Sequence, residues 1–258
     1  MRLLDPPIIV AYIVFLALCI LFVYKTRIPI VKKYKSELNK FIDVRKNKLG
    51  ELYMTLNGYT QGIEVKKGLQ NTAIDKSYWY FCANSITEFC KNIEKPKVLL
   101  LGLGAGTVPH IINNVNPNIE MTVVEYDPVV IQVCKDYFRL NDLTNTHVIN
   151  ADAFEFVKQI PDTLYDAVLI DLFISEAPYL SPQSQSYNFI ADVDKLVKKD
   201  GWFVLNRPAN DAFAKADQKK FMELVKKIFK EYKENEIIDP RNYYNYIIEA
   251  KYFQPGIT

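Results

Sequence analysis

The sequence predicts an α/β fold: a doubly wound, mostly parallel sheet with helices on both faces. Three observations carry that expectation. Apolar runs of strand length alternate with helical patterns through the second half of the chain, the order that a parallel sheet covered on both faces requires. One run, "KVLLLGLGAGT", ends on glycines 102, 104 and 106 and opens directly into a helical pattern. Acidic residues then recur at the ends of later runs, at Glu125, Asp152 and Asp171.

Composition sets the outer bounds. With 258 residues, 49% hydrophobic and 24% charged, the chain is long enough for one sizeable core and a small appendage. A net charge of +2 gives no support for nucleic-acid binding, which rests on a strongly basic domain. Lys-rich stretches read as solvated faces. Cys19, Cys82, Cys90 and Cys134 lack C-x-x-C spacing and are too sparse for a disulfide framework. His110 and His147 are the only histidines, so no zinc or other metal site is expected.

The elements follow in order. Between Pro6 and Tyr24 no residue is charged, and "IIVAYIVFLALCILFVY" is apolar on every face. A soluble helix keeps a polar face. A cleaved leader needs a basic start and a small-residue cleavage site, which "LFVYKTRIPIVKK" lacks. Residues 1–25 therefore read as a single-pass membrane anchor spanning 8–24, short for a hydrocarbon layer of about 30 Å. Lys25, Arg27, Lys32, Lys33 and Lys35 crowd its C-terminal flank, which puts the main domain on the cytoplasmic side. Residues 26–50 read as a basic juxtamembrane linker, part helical.

Residues 51–77 form a small N-terminal β region. There "ELYMTL" and "TQGIEV" flank "NGY", the signal of a β-hairpin. "SYWYFCANSITEFCKNI" reads as a helix that stops before Pro96 and opens the main domain, 78–258. Strands are expected at 98–102, 121–125, 146–150, 166–171 and 201–206, with "DPVVIQVCKDYF" and "FEFVKQI" as helical patterns between them. Phe221, Leu224, Val225, Ile228 and Phe229 form one apolar helical stripe. The end, "KENEIIDPRNYYNYIIEAKYF", holds two strand-like runs with no helix between. Without a crossover they must pair antiparallel, which brings the sheet to seven strands.

The glycine turn is the first chemical signal. Backbone N–H groups and the positive end of a helix dipole lie beside such a turn, and missing Cβ atoms let a ligand approach the main chain. The spacing is G-x-G-x-G, with Thr107 where a nicotinamide-type fingerprint has its third glycine. Glu125 stands 19 positions beyond Gly106 at a strand end, where a carboxylate accepts from ribose hydroxyls. Asp152 either caps the next helix or meets an adenine amino group, with Ala153 supplying a backbone N–H. Asp171 ends the fourth strand. In an open α/β sheet ligands bind at the carboxyl ends of strands, so the turn and the three acids converge on one edge.

Together "GLQNTAIDKSYWYFCAN", "VLLLGLGAGT", "VVEYDPVVIQVCKDYF", "NADAFEFV" and "YDAVLIDLF" resemble the spermidine-synthase-like branch of the class I S-adenosylmethionine-dependent methyltransferase superfamily, over about residues 50–253. The resemblance implies S-adenosyl-L-methionine, or its decarboxylated form, as cofactor. Gly102, Gly104, Ala105 and Gly106 would meet its methionine part, Glu125 and Tyr126 the ribose side, and Asp152 and Ala153 the adenine. Gln70 matches a family position facing the cofactor or the amine. Tyr78 and Tyr179 would touch substrate, and Asp171 matches the carboxylate that orients and deprotonates the attacking amine. Tyr187 is a further substrate candidate, and Asn206 and Arg207 end the fifth strand near the same edge, where Arg207 serves either an acidic acceptor or a surface ion pair.

The chain departs from the aminopropyltransferase pattern at three places: Ala105 and Ile174 stand where that pattern has Asp, and a Glu near Tyr80 is missing. Each charged hydrogen bond so lost is worth roughly 1.5–3 kcal/mol. Polyamine binding is thereby weakened, and Ala105 leaves room for the ordinary cofactor's carboxylate. Methyl transfer is the expected activity, with the acceptor unassigned and either a small molecule or membrane-associated. Aminopropyl transfer with an altered amine site and a catalytically silent scaffold at the membrane are the alternatives. Relatives of this kind commonly pair, so a homodimer is a further expectation.

Overall fold

The structure is a computed structural model that describes residues 12–19, 29–66, 74–160, 163–173, 180–209, 211–239 and 243–254. It has two sheets. The smaller holds four antiparallel strands in chain order: β1 (Ile30–Tyr34), β2 (Ile42–Lys46), β3 (Leu52–Leu56) and β4 (Tyr59–Ile63). The expected hairpin is the β3–β4 pair, turning on Asn57 and Gly58 at φ 47° and 92°. Both lie in the left-handed region that a tight two-residue hairpin turn demands.

Two expectations about the N-terminal part change. Of residues 26–50, expected as a part-helical linker, the described part from residue 29 holds β1 and β2 and no helix. In "FIDVRK" the alternation of Ile42 and Val44 with Asp43 and Arg45 has period two, and the apolar pair is fully buried. As to the anchor, no helix among the described residues is long and apolar enough to cross a membrane. Of residues 8–24 only 12–19 are described, as helix, and eight residues at about 1.5 Å each span a fraction of a hydrocarbon core.

The main sheet follows. Helix α1 (Tyr78–Cys90) leads into β5 (Lys97–Leu101), α2 (Thr107–Val115), β6 (Glu120–Glu125), α3 (Pro128–Tyr137) and β7 (Thr146–Asn150). After the one-turn helix α4 (Ala153–Phe156) come β8 (Tyr165–Ile170), α5 (Tyr187–Asp194), β9 (Val197–Pro208), α6 (Ala212–Ile228), β10 (Phe229–Ile238) and β11 (Tyr244–Phe253). "FEFVKQI", expected as a helix, contributes only α4. The spatial order is β10-β11-β9-β8-β5-β6-β7. β7, β6, β5, β8 and β9 are parallel, and β11 runs antiparallel to both β9 and β10. The chain lays down β5, β6 and β7 in one direction and returns to add β8 and β9 on the other side, so the switch point lies between β5 and β8.

Period-two burial explains the unbroken apolar runs. In β5, Val98 and Leu100 join one core with α1, α2, α3 and the small sheet, while Leu99 and Leu101 join the other with α5 and α6. β8 divides alike, Ala167 and Leu169 against Val168 and Ile170. Both faces are covered, as parallel sheets require. Helix starts are fixed by side-chain caps worth about 1 kcal/mol each: Ser77, Asp127, Asp152, Ser186 and Asp211 accept from backbone N–H groups of α1, α3, α4, α5 and α6. Cys82, Cys90 and Cys134 are buried free thiols.

The small sheet docks directly on the glycine turn. Thr107 Oγ1 accepts from the Ile63 N–H and donates to the Ile63 carbonyl, both at 2.8 Å. β4 comes so close that a Cβ on Gly62 would stand 2.5 Å from Thr107 Oγ1 and 2.7 Å from Ala105 Cβ.

Candidate cofactor and acceptor site

At the switch point the strand ends part and leave a cavity of about 360 Å³. Its floor is the turn after β5, at Gly102 and Gly104. One wall is Glu125 and Tyr126 after β6, and another is Asp152, Ala153 and Phe154 at the start of α4. Asp171 and Phe173 beyond β8 line the far side, and Leu38 and Gln61 from the small sheet close the top.

The backbone of the turn is under tight constraint. Gly102 has φ +102°, and a Cβ there would be driven into the Asp171 carbonyl. Gly104 has φ +55°, and its Cβ would meet the Gln61 carbonyl oxygen at 2.7 Å. Only glycine satisfies both the dihedral and the approach. The main chain therefore lies bare beneath the cavity.

Glu125 ties the turn to β6. Its Oε2 accepts from the Leu103 N–H at 3.1 Å and its Oε1 from the Asp127 N–H at 2.9 Å. A carboxylate has about four acceptor directions; with the Tyr126 N–H also drawn to it, one remains for a ligand's hydroxyl. Burial raises the Glu125 pKa against the pull of those backbone N–H groups. Asp152 gives Oδ1 to the Phe154 N–H at 2.7 Å and keeps its second oxygen, so capping and ligand contact are compatible in one side chain.

A second, narrower cavity of about 70 Å³ adjoins the first and shares Gln61, Gly104, Asp171 and Phe173 with it. Its walls are aromatic: Tyr59 from β4, Tyr78 and Trp79 from α1, Phe173, and Tyr243 before β11. Tyr59 stands against Phe173 with ring centroids 6.0 Å apart, and Tyr78 against Trp79 at 5.0 Å. Among the described lining residues Asp171 is its only carboxylate. Asn206 Nδ2 donates to Asp171 Oδ1 at 2.7 Å, and Asn245 Nδ2 donates to Asn206 Oδ1 at 2.8 Å. Burial pushes the Asp171 carboxyl up to about 6, with the Asn206 N–H opposing.

Most of the expected site residues converge. Gly102, Gly104, Glu125, Tyr126, Asp152, Ala153 and Asp171 line the larger cavity, and Tyr78 lines the smaller. Ala105 and Gly106 line neither. Ala105 packs under β4 against Gly62 and is almost wholly buried, so the expected contact with the cofactor's carboxylate end is corrected: position 105 faces the small sheet. Gly106 is the left-handed N-cap of α2. Tyr187 opens α5 with its ring 5.9 Å from that of Phe253 and lines neither cavity. Gln70, Ile174 and Tyr179 lie outside the described residues. Among the described residues no group of three or more His, Cys, Asp or Glu can hold a metal ion.

Arg207 turns away from the acceptor side. β9 alternates, so Asn206 shares the face of Val204 and Arg207 that of Leu205. There the buried guanidinium donates to Gln185 at 2.8 Å, to Asp217 at 2.9 Å and to Gln218, 4.0 Å from the Phe221 ring centroid. Of the two expected roles the ion pair is the one found, made by a buried guanidinium to the half-exposed Asp217.

Sequence reading missed the strap over the larger cavity. Asp127 caps α3 through Oδ1 on the Val129 N–H, while its Oδ2 accepts from Ser36 Oγ and, at 2.8 Å, from Asn39 Nδ2. This holds the β1–β2 loop down, with Leu38 and Asn39 on the cavity. The partners lie 88 and 91 positions apart. The legible part was "DP" as a helix start.

Comparison with known proteins bears on the family and the fold. Residues 83–255 match the family model described as spermine/spermidine synthase domain. A polyamine aminopropyltransferase of Vibrio vulnificus is 29% identical over 131 residues, which are 50% of this chain and 43% of that protein. An eEF1A lysine and N-terminal methyltransferase homolog of Drosophila melanogaster is 29% identical over 127 residues, 47% of this chain and 19% of that protein. This chain thus matches less than half the length of either relative. Among solved structures, a probable spermidine synthase of Corynebacterium glutamicum superposes with TM-score 0.66 at 19% identity, covering 86% of this chain and 80% of that one. Human Methyltransferase-like protein 13 in complex with SAH gives 0.56 at 18%, covering 69% and 82%. Both structures share the fold. With a family match over more than half its length, the chain belongs to the spermine/spermidine synthase domain family, among relatives that are transferases.

Proposed function

We propose that the chain transfers a methyl group from S-adenosyl-L-methionine to an acceptor amine. The observation that carries this reading is the meeting of two unlike cavities at one carboxylate: a roomy one over bare main chain, and a narrow aromatic one, joined at Asp171. The residues present fit the cofactor. Gly102 and Gly104 expose backbone, Glu125 has an acceptor direction to spare for a ribose hydroxyl, and Asp152 one oxygen for an adenine amino group. When bound, such a cofactor supplies an already activated methyl group.

What remains for the protein is alignment, exclusion of water and handling of one proton. The aromatic walls favour a cationic or apolar head. Asp171, raised to about 6, is ionised at neutral pH, where it can orient the acceptor amine and receive its proton as the new bond forms. Methyl transfer is preferred over aminopropyl transfer because, among the described residues, one carboxylate lines the acceptor cavity, whereas a diamine carries two charges. No acid reaches the cofactor from position 105, which faces β4. The aminopropyl reading is favoured by the Vibrio relative and by the convergence of Tyr78 with Asp171.

The test is calorimetric titration of the full chain with S-adenosyl-L-methionine and with its decarboxylated form, followed by mass analysis of amines incubated with each. Tighter binding and turnover of the ordinary form are expected. Preference for the decarboxylated form would reverse the order of the two readings. We further propose attachment to the inner membrane face through residues 8–24, because the side chains of the helical stretch 12–19 are exposed and join neither core. Recovery of the full chain in a carbonate-washed membrane pellet is expected, and recovery in the supernatant would refute it.

A further inference from the structure

Two buried amides stand between the C-terminal strand pair and the reacting carboxylate. Asn206 on β9 and Asn245 on β11 lie on adjacent antiparallel strands, Asn206 opposite Ile247 and Asn245 opposite Pro208. Both are buried, and Val204 and Ile247 beside them belong to the core shared with α1. A buried amide group has a donor end and an acceptor end, and turning it over exchanges them. Asn245 Nδ2 donates to Asn206 Oδ1 at 2.8 Å, which leaves Asn206 Nδ2 directed at Asp171 Oδ1, 2.7 Å away. The chain of donors therefore runs one way, from β11 through β9 to β8.

We propose that Asn245 is a positioning residue: by fixing which end of the Asn206 amide faces Asp171, it sets the basicity of the carboxylate that receives the acceptor's proton. The inference rests on the reading of Asp171 as the acceptor's carboxylate, but its physical content does not. If Asn206 turned over, a carbonyl oxygen would face the carboxylate oxygen, an arrangement tolerable only with Asp171 protonated. Hydrogen bonding to the charged form lowers a carboxyl's pKa, and losing it raises the pKa. The other groups facing this side chain are Tyr59 from β4, Tyr78 and Cys82 from α1 and Tyr243 before β11, with Glu125 across the larger cavity. The Cys82 thiol, pushed well up by burial, is neutral below pH 8. Among the described residues, burial and the Asn206 amide are thus the two influences that act on Asp171 directly.

The experiment is a carbon-13 carboxyl titration of Asp171 by NMR in the full chain, for wild type, Asn245→Leu, Asn206→Leu and the double variant. Asn245→Leu is expected to raise the Asp171 midpoint by about one pH unit, the effect of one lost hydrogen bond to the charged form. In the Asn206→Leu background the same change is expected to add nothing, because the intermediary is gone. Asn245→Ser serves as a second variant if the leucine substitution unfolds the protein. An unmoved midpoint in a folded Asn245 variant overturns the proposal, as does a rise that persists without Asn206. S-adenosylhomocysteine titration of the same samples separates the two ideas. Binding with an unmoved midpoint sinks the relay alone, and a moved midpoint without binding sinks the transferase reading alone.

Discussion

Gly102→Ala is the sharpest structural perturbation of the site, and its cost can be worked from geometry. Two penalties combine. The residue holds φ +102°, where a side chain is strained by about 1–3 kcal/mol. Its new Cβ would press into the Asp171 carbonyl oxygen and stand 3.1 Å from the carbonyl carbon. That neighbour is backbone in a central strand end, so it does not swing aside, and overpacking of this kind costs about 1–3 kcal/mol. The sum is about 2–6 kcal/mol, a large part of a stability of about 5–15 kcal/mol. Gly106→Ala is the matched control: φ is +76°, but the nearest atoms to a Cβ are 3.8 and 3.9 Å away. It carries the dihedral penalty alone, about 1–3 kcal/mol. Urea unfolding of both variants, fitted for midpoint and slope, should place Gly102→Ala lower in stability by about 1–3 kcal/mol. Equal costs would show that β5 and β8 do not meet as described, and the geometry of the cavity floor would be wrong.

Other consequences follow from single contacts. Thr107→Val leaves the Ile63 N–H and carbonyl unpaired beneath the turn, a loss of about 2–4 kcal/mol readable in the same unfolding assay. Asn39→Ala removes one of the two bonds that hold the strap to Asp127, leaving the Ser36 bond and the α3 cap in place. Cofactor affinity should fall about tenfold for one charge-assisted bond while the melting temperature barely moves. Asp171 carries a pH signature. Its carboxyl goes from 3.8 to about 6 on folding, so between those values the native state alone holds the proton. Stability therefore falls as pH rises through that window, by at most about 3 kcal/mol and by less where water enters the cavity. Asp171→Asn should flatten most of the slope in chemical denaturation between pH 4 and 6, leaving the contribution of the same sign from Glu125. An unchanged slope would mean that Asp171 is not buried as described.

The sheet was legible because its causes are local. Apolar runs such as Val98–Leu101 must be strands buried on both faces, and the "DP" at 127 starts a helix by capping chemistry alone. The glycine turn was legible too, since no other residue accepts those dihedrals. What escaped has causes distant in sequence. β1 hides in a Lys-rich stretch because an edge strand in solvent, with Ile30, Val31, Lys32 and Lys33 all exposed, shows little alternation, and β2 has only the short alternation of Ile42 and Val44 to mark it. Ala105 was assigned by pattern to the cofactor, yet β4 lies against it, a contact between residues more than forty positions apart. Arg207 looked like a strand-end group at the cavity, and one step of the pleat sends it to the opposite face. Asn39, Gln61 and Asn245 carry no motif of their own; they matter through what the fold places beside them.

A nucleoside cofactor is expected to fill the cavity above Gly102 and Gly104, and calorimetry with S-adenosylhomocysteine tests this most directly. Wild type should bind one equivalent, and Glu125→Ala, which removes the carboxylate beside the turn, should weaken binding at least tenfold, as expected for one or two lost charged hydrogen bonds. No detectable heat with folded wild-type protein, or undiminished affinity in the variant, would contradict it.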